Sequence, residues 1–270
     1  MKNVVILGSW GSGLSIPAAC LSRAGYFMGE SLAAVLPHKK ETGYGLYEDD
    51  AIVRLNRDIL NDAMLNRKTL ELLRSSGPGR AAVDPLERER IGGVSYRPLY
   101  ASDLWREKVF YLCGKQPFCF KDPRFSLTLP FWQIPLEGAL RICVFREPQF
   151  CAASLMRRGI ACSEAEAICC DAANAETQAE KHLAIWIFMY QHILSYVVRE
   201  RTSEQWFFIH FRDFFSIRGI HALEKTLGIY VSPKEVHFRK DTENGEDEIP
   251  GPAQAIYQTL KRYAKYCVLS

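Results

Sequence analysis

"VVILGSWGSGLS", residues Val4 to Ser15, is an unbroken apolar run that ends in glycine and enters a Gly/Ser-rich turn. A strand without polar alternation is one buried on both faces, as in a parallel sheet covered by helices on each side. Helical spacing follows from about Ser12 through Arg23, with Pro17 near the first turn, where its missing N–H costs least. Strand, glycine turn and helix in succession gather backbone N–H groups and the positive end of a helix dipole around a point where an anion can sit. Gly8, Gly11 and Gly13 allow the sharp turn, and Ser12 and Ser15 add hydroxyl donors. The spacing is neither GxxxxGKS/T nor GxGxxG, so taken alone the turn fits a phosphate cradle and a plain strand-to-helix turn equally.

Working outward, "PFCFKDP" (117–123), "ALRICVF" (139–145) and "QWFFIHF" (205–211) have the same strand character. Helical patterns cover 51–65, 67–76, 102–113, the stretch after Pro148, 163–201, 213–229 and 253–269. Over 51–65, Ile52, Leu55, Ile59 and Leu60 are expected on one side. The segments 77–93 and 235–252 read as loop, and 77–98 is a candidate lid or substrate-facing insertion. Strands alternating with helices predict a doubly wound parallel sheet that binds its ligand at the carboxyl ends of the strands.

The 270 residues suit one domain spanning 1–270. A hydrophobic content of 48% supplies a large core, and a formal net charge of +3 argues against a broad nucleic-acid surface while leaving room for a local basic pocket. No stretch approaches the roughly 18 apolar residues of a membrane span, and no signal-peptide pattern opens the sequence. Nine cysteines without CxxC pairs or accompanying HxxxH runs read as small buried hydrophobes. The expectation is a cytoplasmic, metal-free protein.

A second anion site follows the strand that ends in Phe145. Arg146 leaves its carboxyl end, and Ser154 comes eight residues later, two turns into the next helix. A planar guanidinium with a hydroxyl suits a dianionic phosphate, because the fork makes two parallel hydrogen bonds. The competing reading is an ion pair between Arg146 and a neighbouring acid that caps the helix.

At this point the chain resembles the sulfotransferases that use 3′-phosphoadenosine 5′-phosphosulfate (PAPS), in their bacterial and glycan-modifying branch. "GSWGSGLSIPAACLSRAGYFMGE" is similar to the family's phosphosulfate loop and helix, and "FREPQFCAASLMRRG" to its 3′-phosphate segment. "FKDPRFSLTLPFW" resembles the Lys-Asp-Pro-Arg segment, "GLYEDDAIVRLNRDIL" the Gly-x-x-Glu stretch before a helix, and "WFFIHFRDFF" the later strand. The order is kept from residue 3 to about 230. The resemblance implies a P-loop-like, three-layer α/β sandwich with a central parallel β-sheet flanked by helices. It also implies transfer of a sulfuryl group to a hydroxyl, or less readily an amine, of a glycan, lipid or small-molecule acceptor. By position Ser9, Trp10, Gly11, Ser12, Gly13, Leu14 and Ser15 would wrap the 5′-phosphosulfate, and Arg146 and Ser154 would hold the 3′-phosphate.

Gly11 departs from the pattern, since the family carries Arg or Lys there. A missing preorganised charge costs on the order of 3 kcal/mol in the transition state, and the runner-up reading is therefore a catalytically weakened nucleotide-binding module, which the effect of Gly11→Arg on transfer would separate from an active enzyme. Lys121 is the candidate replacement, with Arg124 as possible helper; the plainer alternative is an ion pair of Lys121 with Asp122 or Glu48. Glu48 is the candidate general base, with His38 second, although Glu48 also precedes a helix, where acids are favoured anyway. Trp10 or Trp186 is a candidate platform for adenine, and either is equally a core residue. Arg239 and Lys240 resemble the family's late Arg-Lys pair, but Asp241 stands where a glycine is expected. A kinase-like phosphoryl transferase would instead depend on Mg²⁺ and ATP, and a scaffold protein would leave the ordered anion motifs unexplained.

Overall fold

The computed structural model describes residues 1–32, 47–65, 103–200, 205–230, 249 and 251–269. The helix expected over 67–76, the insertion over 77–98, His38, Arg239 and Lys240 lie outside those residues. Strands β1 (Val4–Leu7), β2 (Cys119–Lys121), β3 (Leu140–Phe145) and β4 (Trp206–His210) form one parallel sheet in the order β2-β1-β3-β4. Helices α1 (Ser15–Arg23), α2 (Asp50–Leu65), α3 (Asp103–Gly114), α4 (Phe125–Thr128), α5 (Pro148–Arg158), α6 (Ser163–Ile168), α7 (Cys170–Ala173), α8 (Gln178–Glu200), α9 (Ile217–Leu227) and α10 (Gly251–Leu269) fill the connections.

Every residue of the four strands is buried, which is why each run is apolar without alternation. The period of two still sorts them. Val5, Leu7, Phe120, Cys143, Phe145 and Phe208 meet α2, α3, α8 and α10 on one face. Val4, Ile6, Cys119, Ile142, Val144, Phe207 and Ile209 meet α1 and α9 on the other. The result is the expected α/β arrangement of three layers, with a central parallel sheet between helices. No helix among the described residues is long and apolar enough to cross a membrane.

Two local expectations change. The helical pattern over 163–201 is divided: Cys169 is extended (φ −84°, ψ 105°), and α8 starts afresh from a capping box. In that box the Thr177 hydroxyl accepts from the Glu180 N–H at 3.2 Å while the Glu180 carboxylate accepts from the Thr177 N–H at 2.9 Å. On α2, Ile52, Leu55 and Ile59 face the sheet, but Leu60 turns to a third cluster with Leu127, Leu155, Ile168 and Ile185.

The strand order positions the site. From β1 the chain proceeds to β2 on one side, and from β3 it proceeds to β4 on the other. The carboxyl ends of β1 and β3, paired through Leu7 and Cys143, therefore flank the point where the winding reverses, which is where open α/β sheets bind ligands.

Candidate functional site

The turn between β1 and α1 is held from three directions. The Gly8 N–H donates to the Ser126 hydroxyl at 3.0 Å, and that hydroxyl donates back to the Gly8 carbonyl at 3.2 Å. The Ser9 N–H donates to the Tyr190 hydroxyl at 3.2 Å, and Tyr190 donates to the Val144 carbonyl at 2.8 Å, tying the turn to β3. The Ser12 hydroxyl donates to the Ser9 carbonyl at 2.6 Å. Ser12 is fully buried, so its side chain is not the anion donor expected from the sequence: the turn consumes it internally. Leu14 likewise buries its side chain in the core. What the turn offers a ligand is main chain. The N–H groups of Gly11, Gly13, Leu14 and Ser15 meet no acceptor among the described residues, and they lie at the start of α1.

Gly11 stands at φ +82°, and a Cβ there would lie 2.6 Å from the Cys151 carbonyl oxygen on α5. Position 11 is pressed against the main chain of another helix, and no arginine fits without displacing it. Gly11→Arg therefore does not isolate the question of a lost charge, since the α5 main chain occupies the space the side chain would need. A Cβ at Gly13 would strike the Phe211 ring at 2.3 Å. Phe211, just after β4, in turn lies under the Arg146 guanidinium, 4.3 Å from ring centroid to Cζ. The turn after β1, the residue after β3 and the residue after β4 thus form one continuous surface.

Arg146 is 3% exposed and sits between Phe211 and Phe150. Its carbonyl accepts from the Trp186 indole N–H at 3.0 Å. Trp186 is fully buried in this role, so it is no platform for a base, and that expectation is corrected. Trp10 remains half-buried in the turn. Glu147, the acid nearest Arg146 in sequence, is engaged elsewhere, with His210 at 3.2 Å and Arg212 at 3.8 Å. Burial alone would raise the Glu147 carboxyl; the His210 hydrogen bond and charge, with Arg212, overcome it and hold the group at about 2. The Arg212 main-chain N–H donates to His210 Nδ1, and His210 Nε2 faces the Glu147 carboxylate. Ser154 lies on α5, half-exposed, and its carbonyl accepts from Arg158 Nε at 2.9 Å.

On the other flank, Lys121 ends β2 and is 5% exposed; its ammonium is paired with the Glu48 carboxylate. The two candidate catalytic groups, 73 residues apart in the chain, are therefore in contact. Asp122 does not join them. It accepts from the Arg124 N–H at 2.9 Å, the Arg124 guanidinium at 3.1 Å and the Asn56 amide at 2.9 Å. Burial pushes the Asp122 carboxyl up, the Arg124 charge opposes that, and the Glu48 charge adds to it. Arg124 also faces the Trp10 ring, with Cζ 5.6 Å from the centroid, so a second cation from the Lys-Asp-Pro-Arg segment leans on the β1 turn.

Cys20, Cys113, Cys119, Cys143, Cys151, Cys162 and Cys169 are buried thiols outside any disulfide. Burial pushes Cys20 up to about 11 and Cys113 and Cys151 up to about 12, which keeps them protonated and unreactive. Ser126, Tyr190 and Phe211 were missed from sequence. Tyr190 in particular reads as one more apolar position of a long helix, and only its hydroxyl, which bridges two main chains, reveals its task.

No family model matches the chain, and no curated protein matches it. Among solved structures the fold is similar to that of a sulfotransferase from Alicyclobacillus acidocaldarius, at 12% identity and a TM-score of 0.45, over 99% of this chain and 96% of that one. A likeness of that degree leaves the reading of the site to its own residues.

Proposed function

We propose that the chain is a sulfotransferase that takes PAPS as donor and an oxygen nucleophile of a small molecule or glycan as acceptor, with residues 1–270 acting as one domain. The observation that carries this reading is the adjacency of two anion-receptive corners, the N–H groups of Gly11, Gly13, Leu14 and Ser15 after β1 and the guanidinium of Arg146 after β3, at the point where the sheet reverses its winding. One nucleotide with a phosphate group at each end matches two such corners, and a ligand with a single phosphate tail uses only one. Main-chain donors, the α1 dipole and the buried Arg146 fit a polyanion. Bound there, the nucleotide supplies the sulfuryl group.

In this reading Lys121 takes the part that a loop arginine plays in the resembling enzymes. A lysine paired with Glu48 stands at the carboxyl end of β2, next to the β1 turn, and neutralises negative charge that builds at the donor's bridging oxygen. Glu48, in contact with it, accepts the proton of the acceptor hydroxyl. The Lys121–Glu48 contact also favours a second reading, a binding module in which the two groups satisfy each other and no transfer occurs. Transfer of labelled sulfate from the donor to a panel of glycans, lipids and phenols separates the two. The proposal expects transfer to at least one acceptor, falling about 10²–10³-fold in Lys121→Met. Absence of transfer across the panel, with the nucleotide still bound, establishes the binding module instead.

A further inference from the structure

We propose that Trp186 and Tyr190 of α8 are positioning residues that set the separation of the two anion corners, and with it a preference for a nucleotide phosphorylated at both ends; this rests on the nucleotide reading above. The pairing of β1 with β3 stops at Leu7 and Cys143, while β3 continues beside β4 to Phe145 and His210. Beyond that last rung the two chains stay close: a Cβ on Gly8 would lie 2.2 Å from the Val144 carbonyl oxygen. The Tyr190 hydroxyl bridges them there. It accepts from the Ser9 N–H at 3.2 Å and donates to the Val144 carbonyl at 2.8 Å. A rung that passes through a side-chain oxygen is longer than a direct N–H···O=C bond, so it spaces the start of the β1 turn from β3 instead of zipping the two together.

One turn earlier on the same face of α8, the Trp186 indole N–H donates to the Arg146 carbonyl at 3.0 Å, and the two rings pack with centroids 4.7 Å apart. The spacings agree: four helical residues rise about 6 Å, and the two strand residues from Val144 to Arg146 span about 6.6 Å. Helix α8 therefore holds two carbonyls at the exit of β3 and one N–H at the start of the β1 turn. The guanidinium of Arg146 and the N–H groups of Gly11, Gly13, Leu14 and Ser15 follow directly from those fixed points. Both rings are fully buried, and burial pushes the Tyr190 phenol well above its ordinary range, so its hydroxyl stays a donor. Packing alone does not call for these polar atoms, since phenylalanine fills such positions with no group to satisfy. A ligand with one phosphate uses one corner and tolerates a shift of the other. A ligand with two needs both at their set distance, so the hydrogen bonds of α8 bear on what the second phosphate adds to affinity.

Calorimetric titration of adenosine 3′,5′-bisphosphate, adenosine 5′-phosphate and adenosine 3′-phosphate into the wild type, Tyr190→Phe and Trp186→Phe tests this. The wild type is expected to bind the bisphosphate more tightly than either monophosphate. Each variant is expected to raise the bisphosphate Kd about 10-fold and to keep both monophosphates within about threefold. A purely structural pair lowers the melting temperature and leaves the ratio of bisphosphate to monophosphate affinity where it was; that result overturns the assignment while the sulfotransferase reading stands. If Tyr190→Phe fails to fold, Trp186→Phe decides by the same ratio. Failure of both to fold assigns the two residues to stability and also overturns the assignment. A wild type that binds none of the three, or the bisphosphate no more tightly than adenosine 5′-phosphate, overturns both.

Discussion

At Gly11 the backbone lies at φ +82° with the Cys151 carbonyl 2.6 Å from where a Cβ would be. The αL conformation disfavours any side chain, and the close approach adds a clash with main chain that cannot rotate away. Gly11→Ala is therefore expected to destabilise the fold by about 2–4 kcal/mol in urea titration, and Gly11→Arg to do the same without raising sulfate transfer. A stable, more active Gly11→Arg protein would contradict this. From the sequence, Gly11 reads as a lost charge, because the local pattern displays the residue type and not the helix lying on top of it. Lys121 and Glu48 illustrate the reverse. Both are legible as candidates from the segments that carry them, while their contact depends on how β2 and the start of α2 converge. Ser12 was legible as a hydroxyl in the right turn, and its direction was not.

At the scale of elements, the end of β3 and the end of β4 are joined by Glu147 and His210, with Arg212 nearby and Tyr257 of α10 3.2 Å from His210 Nε2. The Glu147 carboxyl is held at about 2 in the folded chain, against an ordinary value of 4.5. A depressed carboxyl stabilises the fold fully above its unfolded value and ceases to do so as pH falls through its folded one. The stability difference between wild type and Glu147→Gln is thus expected to be about 1–2 kcal/mol at neutral pH, after allowing for solvent screening. It should shrink between pH 4.5 and 2. Chemical denaturation across that range checks it, and a difference independent of pH would refute the assignment. The strands were the most legible elements, since burial on both faces leaves an unmistakable apolar run. The break at Cys169 was not: the segment keeps helical composition throughout, and only the Thr177–Glu180 capping box marks the true start of α8.

At the scale of the molecule, the order β2-β1-β3-β4 brings two separate sequence motifs to neighbouring strand ends. Alternation of strands and helices predicted a parallel sheet, but not which strands would be neighbours. That β1 pairs with β3 brings the β1 turn and Arg146 to the same edge, and Phe211, which follows β4, lies against both Gly13 and Arg146. Sequence order alone could equally have separated the motifs. The most direct measurement is a crystal structure of the protein with adenosine 3′,5′-bisphosphate. The account predicts one nucleotide whose 5′-phosphate accepts from the N–H groups of Gly11, Gly13, Leu14 and Ser15 and whose 3′-phosphate meets Arg146. A nucleotide bound at any other edge of the sheet, or phosphates at the two corners that belong to different molecules, would contradict it.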